Sequence, residues 1–336
     1  MSELRASGLP LGGTGLTTEA YLEFLGADYL AGFVRAGGAA VRFVVAGDDD
    51  VAKRWHTGLA QLSDAEGYLY VAVDAADTKV AMIDHVYAAV ARRVDWASLA
   101  AQTVHRAWED VGLPPPTPEE ITVAAVAEAN DVDLREAARS IRRQLEGSLL
   151  RDTTLAREFR LAVLRLCQAE LGTSDAGAAE RNAVLAWLRV EPVALRDLRA
   201  ASIHARVGRH NARALLVSLA AWQLRTSGAG LVLDVDLARL TVSRRSPLVE
   251  RQGVYYSKAA VLDAYEMLRQ LVDATDQLRG VLVAVAMPPE LITDDGRGLP
   301  AYAALQLRII DEVRDRRRAN PYAALVRLET RMEVRQ

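Results

Sequence analysis

Cysteine is nearly missing from this chain. Cys167 is the only one in 336 residues, so no intrachain disulfide, Cys-based zinc site or CxxC redox pair can form. Lysine is almost as scarce: Lys53, Lys79 and Lys258 are the only three among 41 basic residues. We read the arginine excess as genomic background rather than chemical demand. The five histidines, His56, His85, His105, His204 and His210, lack HxxxH or HExxH spacing, and no metal site is expected of them. No apolar run approaches the ~18 residues of a membrane span, and no basic stretch precedes an apolar one at the N-terminus. The expectation is a cytoplasmic protein with no membrane partner. A dominant charge sign is missing too: 44 acidic residues against 41 basic leave a net −3, so any nucleic-acid surface must be local.

What is present is a globular composition, 51% hydrophobic and 25% charged. After a Gly-rich start from Gly8 to Gly15, apolar residues at helical spacing predict a helix over Thr17 to Arg35. Val41 to Ala46 is a β-branched run that halts at Gly47-Asp48-Asp49-Asp50, with a helix expected from about Val51 to Leu62. Tyr68 to Asp74 is a second near-continuous apolar run, as in a parallel strand buried on both faces.

From Lys79 to Thr226 the pattern is helical, including Asp131 to Glu146 and Leu155 to Leu171, with a loop at Gly172 to Gly177. Pro114-Pro115-Pro116 breaks it, and Thr117-Pro118-Glu119-Glu120 reads as an N-cap, a first-turn proline and first-turn acids. Strands return at Gly230 to Asp236 and Gly280 to Ala286, around a helix from Ala259 to Leu278. The expectation is an α/β protein with a parallel sheet interrupted by a large helical insertion. Residues 1–78 form the first part of its core, 79–226 the insertion, and 227–336 the second part with a C-terminal helix and tail.

A strand, a tight loop and a helix N-terminus are what a P-loop protein uses to hold phosphate, adding a lysine and a hydroxyl on magnesium. Against G-x-x-x-x-G-K-[ST], Gly47 and Lys53 match, while Ala52 and Arg54 replace the second glycine and the hydroxyl. Each carboxylate of Asp48, Asp49 and Asp50 within about 6 Å of a phosphate charge opposes it by about 3 kcal/mol at an effective dielectric near 20. Two readings of the loop stand: a solvated acidic turn, or a residual nucleotide site. Asp234 ends the later strand where a magnesium-positioning acid belongs, and Val235 stands where a water-orienting Glu would follow.

With these features the chain resembles the P-loop ATP-binding proteins of BREX-type phage-defence systems. The resemblance is carried by Val41-Arg42-Phe43-Val44, Leu185-Ala186-Trp187-Leu188-Arg189, Val207-Gly208-Arg209-His210-Asn211-Ala212 and Gly230 to Asp234. Ala264 to Asp273 and Arg297-Gly298-Leu299-Pro300-Ala301-Tyr302 extend it. It implies an AAA-like P-loop core, oligomeric and DNA-associated, working with a helicase, methyltransferase or other defence subunit.

An ungapped match to the family's V-R-F-V-R-G-D-Y-G-x-G-K-T puts Ala52 at the lysine and Lys53 at the threonine, and Met287-Pro288-Pro289 stands where relatives carry a small polar sensor. The reading is a degenerate member with a nucleotide site of Gly47, Lys53 and Asp234, the last vestigial. No resident cofactor is expected, and ATP and Mg bind weakly at most. It would serve as a scaffold or regulator in a defence or DNA-processing complex, partnered by its own copies, a P-loop paralogue, a helicase or DNA. Arg244, Arg245 and Arg251 are candidate interface residues after the second motif, and Arg316, Arg317 and Arg318 candidate phosphate contacts. The alternatives are a weak ATPase completed in trans by a paralogue, and a nucleic-acid-binding module.

Overall fold

The apolar runs become a parallel sheet whose connections are helical. Ala39–Ala46, Leu231–Asp236 and Val281–Met287 are largely buried on both faces, whereas Leu69–Asp74 lies at the sheet edge and exposes Ala72 and Asp74, against the expectation of two-faced burial. The structure, a computed structural model, describes residues 16–172, 178–243, 246–310 and 320–329. It divides into two compact units, 1–89 with 229–336, and 90–228. Helix α3 (Ile83–Ala91) runs across the division.

In the first unit, β1 (Leu16–Thr17) runs into α1 (Thr18–Phe24), capped by the Thr17 hydroxyl on the Ala20 N–H. The expected long helix continues past Phe24 as a π-helix, Leu25–Val34, whose Leu30 carbonyl accepts from the buried Tyr68 hydroxyl at 2.6 Å. Next come β2 (Ala39–Ala46), α2 (Asp49–Ala65) and β3 (Leu69–Asp74).

In the helical unit, α4 (Trp96–Asp110), α5 (Val123–Ala129), α6 (Leu134–Leu150), α7 (Arg157–Glu170), α8 (Ala178–Leu188), α9 (Leu195–Leu198) and α10 (Ala212–Ser227) pack on one another. Trp96, Phe159 and Trp222 form its aromatic centre, with ring centroids 5.9 to 6.2 Å apart. One expectation is corrected here: no helix starts at Thr117. The chain stays irregular to Thr122, which caps α5 through the Ala125 N–H. Ile121 is instead drawn into the core, where its carbonyl accepts from the Trp108 indole at 2.9 Å. Tertiary burial overrides a local capping signal.

The chain returns to the sheet unit with β4 (Leu231–Asp236), α11 (Lys258–Asp273), β5 (Val281–Met287), α12 (Glu290–Thr293), α13 (Ala303–Ile309) and β6 (Leu325–Glu329). The strand β6 lies within the stretch read from sequence as C-terminal helix and tail. Strand order is β1-β6-β2-β5-β4-β3, all parallel. One strand, β5, thus separates the strand that enters the loop at Gly47 from the strand that bears Asp234, as in an AAA-like P-loop core.

Register decides which residues share a face. Ala72 pairs with Asp234 and Asp234 with Ala284, so Tyr70, Val232, Asp234, Asp236, Ala284 and Ala286 all face α2. Val235 faces the other way, 1% exposed. On α2 the buried stripe is Val51, Trp55, Leu59 and Ser63, with Trp55 stacked on Tyr21 at 5.8 Å. Thus α2 lies along the sheet with its N-terminus at the C-terminal strand ends, where ligands of open α/β sheets bind.

Candidate nucleotide cleft

The connection from β2 to α2 is only Gly47 and Asp48. Asp49 and Asp50, read from sequence as turn residues, join Val51 to Arg54 in the first turns of α2. Asp48 is the N-cap, and its carboxylate accepts the Val51 N–H at 2.8 Å. Asp49 and Asp50 complement the helix dipole in the first turn. A P-loop holds phosphate with backbone N–H groups of a glycine-rich loop and the following helix start. Here no such loop exists, and the helix start is met by the chain's own acids. Gly47 itself is not sterically required, because a Cβ there would lie 3.5 Å from the Leu328 carbonyl, ordinary contact.

A cleft of ≈ 440 Å³ opens at these strand ends, lined by Gly47, Lys53, His56, Thr57 and Asp236 among others. Met287, Pro288 and Pro289 form part of its wall, and the prolines offer no N–H. Lys53 and Thr57 stand one helical turn apart instead of adjacent as in a phosphate motif. Four acids, Asp48, Asp49, Asp236 and Glu290, face two cationic side chains, Lys53 and His56. Arg54 is exposed and does not line the cleft.

Asp234 is 1% exposed and already engaged. Its Oδ2 accepts from His56 Nδ1 at 2.7 Å and from the Tyr70 hydroxyl at 2.7 Å. His56 Nε2 lies 3.4 Å from Asp236 Oδ2. Burial works against the imidazolium, but hydrogen bonds to Asp234 and Asp236 and their charges outweigh it and push the His56 pKa up to about 10. Burial likewise opposes the Asp236 carboxylate, while His56 and the Ala238 N–H hold its pKa below the ordinary value. The Tyr70 phenol is driven upward by burial and by the Asp234 charge, so it stays a donor.

A cationic His56 cannot serve as a general base. With Tyr70 it occupies Oδ2 of Asp234, while Oδ1 is buried without a hydrogen-bond partner. Val235, buried on the opposite face, offers the cleft nothing. Three residues were therefore not singled out from sequence: His56, Tyr70 and Asp236. For Asp236 a signal existed, its period-two spacing from Asp234 on the same strand.

Of the other sequence candidates, Arg244, Arg245, Arg316, Arg317 and Arg318 lie outside the described residues. Arg251 is described: it closes a 3₁₀ turn, Leu248–Arg251, and donates to the Ser246 carbonyl at 2.8 Å. No group of three His, Cys, Asp or Glu that could hold a metal ion occurs among the described residues. None of their helices is long and apolar enough to cross a membrane.

Comparison with curated proteins and with solved structures returned no significant match. The family described as BREX system ATP-binding protein BrxC/D matches residues 119–334, a span that includes β4 with Asp234 and begins beyond the acidic β2–α2 connection. With that match covering well over half of the sequence, the chain belongs to the BREX system ATP-binding protein BrxC/D family.

Proposed function

We propose that this component of a BREX-type anti-phage defence system is a non-hydrolysing subunit that binds partners in place of turning over ATP. The observation that carries this reading is the helix start of α2, where the Asp48 carboxylate takes the Val51 N–H that a phosphate would use. The engagement of Asp234 Oδ2 by His56 and Tyr70 supports it. A triphosphate entering the cleft meets four carboxylates and gains one cation, Lys53, that no acid has claimed. Calorimetric titration with ATP, with and without magnesium, tests the reading. We expect a dissociation constant weaker than ~100 μM, above −5.5 kcal/mol on the affinity scale. Low-micromolar binding abolished by Lys53→Ala would overturn it.

Its partner contact is assigned to the segment after β4. Arg239 holds this segment from beneath, donating to the Val254 carbonyl at 2.7 Å and to the Glu250 carbonyl. Leu248 and Val249 stand out at 76% and 81% exposure. Exposed aliphatic side chains in a segment whose sequence carries arginines suit a subunit interface. The proposed partner is another copy of the chain or a P-loop paralogue. Arg244→Glu with Arg245→Glu should weaken that association without nucleotide, with an effect that declines at high salt. Mass photometry reads it, and a strict monomer that co-purifies with no neighbour-encoded protein removes the scaffold role.

A further inference from the structure

The stretch Leu185 to Ala212, whose two ends carry part of the resemblance, has no role in the cleft. It frames a second cavity of ≈ 610 Å³ in the helical unit, lined by Trp187, Val190, Pro192, Val193, Ala194 and Val207. Two charged side chains, Glu191 and Arg206, complete the lining. Its floor is fixed: the Trp187 indole, 1% exposed, donates to the Ala205 carbonyl at 2.8 Å. The Asn211 amide clasps the same loop, accepting from the Gly208 N–H at 2.9 Å and donating to the Arg206 carbonyl at 3.1 Å.

Three features of this groove point outward. First, helix α8 ends in a Schellman motif, Glu191 N–H to Ala186 carbonyl and Val190 N–H to Trp187 carbonyl, which puts Val190 at φ +58°. That position ordinarily holds glycine, as Gly228 does at the end of α10. A β-branched residue there is strained, and strain of this kind collects at binding sites. Second, the segment from Glu191 to Ala194 is irregular, and among the described residues nothing hydrogen-bonds the backbone of Val193. Third, residues 189–213 carry six arginines and two histidines against only Glu191 and Asp197. Arg199, Arg206 and Arg209 are exposed, and none has an acidic partner among the described residues.

We propose that this groove is a docking site for an acidic peptide segment of a partner protein. An apolar side chain of the segment would seat against Trp187 and Val207, its backbone would pair with Val193, and flanking Asp or Glu would meet Arg206 and Arg209. The charge surplus selects an anionic partner, and the apolar concavity selects peptide over nucleic acid, whose backbone would grip the arginines and leave the groove empty. The inference does not depend on the reading of the nucleotide cleft.

The test is a display selection with random peptides of about 12 residues on the whole chain, counter-selected on Ala194→Arg, which fills the groove. Enriched peptides should share an apolar residue flanked by Asp or Glu. One of them, synthesised with a fluorophore, should lose about tenfold in affinity or more to Ala194→Arg and to Arg206→Glu with Arg209→Glu. The second variant alters only exposed side chains and keeps the test alive should the first misfold. Val190→Gly should weaken the peptide without lowering the melting temperature. Basic or unrelated peptides, or equal binding to both variants, would overturn the proposal. So would a DNA duplex bound in preference to every peptide, lost with the arginine pair and kept in Ala194→Arg, which would make the face a nucleic-acid surface.

Discussion

The cleft at the C-terminal strand ends and the groove of the helical unit are both concave, and they treat charge in opposite ways. In the cleft each strong site is answered from within: Asp48 answers the helix start, and His56 and Tyr70 answer Asp234. In the groove Arg206 has no acidic partner among the described residues, and a valine is held where glycine would be easier. A site that has internalised its counter-charges has little left to offer a ligand. One that keeps charge and strain unresolved has interaction energy in reserve.

Removing one internal counter-charge is the harshest way to break this contrast. His56→Ala leaves the Asp234 carboxylate buried without its cation, and we expect a loss of ~3–5 kcal/mol in urea unfolding. Exchanging Asp234 for Asn in the same background should return part of it, since the uncompensated charge is then gone.

The same pair sharpens the contrast through pH. The His56 pKa rises from 6.5 to about 10 on folding, so its contribution is fully present below pH 6.5 and is lost as pH rises toward 10. Unfolding free energies at pH 6.5, 8 and 10 should fall by roughly a few kcal/mol in total, and His56→Gln should flatten the profile. Asp236, whose pKa is lowered, acts on the acid side: its contribution is present above the unfolded carboxylate value and lost as pH falls below it.

A milder change is Asp48→Ala, which takes the capping carboxylate from the Val51 N–H and should cost about 1 kcal/mol. ATP affinity should improve only slightly, because the two-residue connection still cannot wrap a phosphate. Placing Gly at Ala52 and Thr at Arg54 should not produce hydrolysis, since both positions lie within α2 and Val235 supplies no carboxylate. Colourimetric phosphate release checks this. The smallest effect belongs to Val190→Gly, where relief of a left-handed valine and loss of its packing nearly cancel, within ~1 kcal/mol by thermal unfolding.

β2, β4 and β5 were legible because burial on both faces leaves continuous β-branched runs that no helix period explains, and β3, though it lies at a sheet edge, was legible as an apolar run after Gly67. β1 and β6 were not. β1 has two residues, and β6 hides Val326 and Leu328 in a five-residue alternation inside a charged stretch. Thr117 carried a sound local capping signal and lost to the burial of Ile121 beneath Trp108. At the cleft, Asp234 could be read from its place at a strand end. Its partner His56 could not, because the ion pair joins residues 178 positions apart and only the sheet register brings them together.

The strand order has a consequence for how the chain is made. β2 and β3 are joined by α2 yet share no ladder; β2 waits for β5 and β6, and β3 for β4. At roughly 5–20 residues per second of synthesis, the ~240 residues between β2 and β5 take on the order of 10–50 s to emerge. For that interval the nascent chain carries Val41-Arg42-Phe43-Val44-Val45 as an apolar strand with both edges open, the kind of segment that aggregates. The helical unit, whose contacts all fall within one continuous stretch of chain, is free to fold while the sheet is still waiting for its last strands.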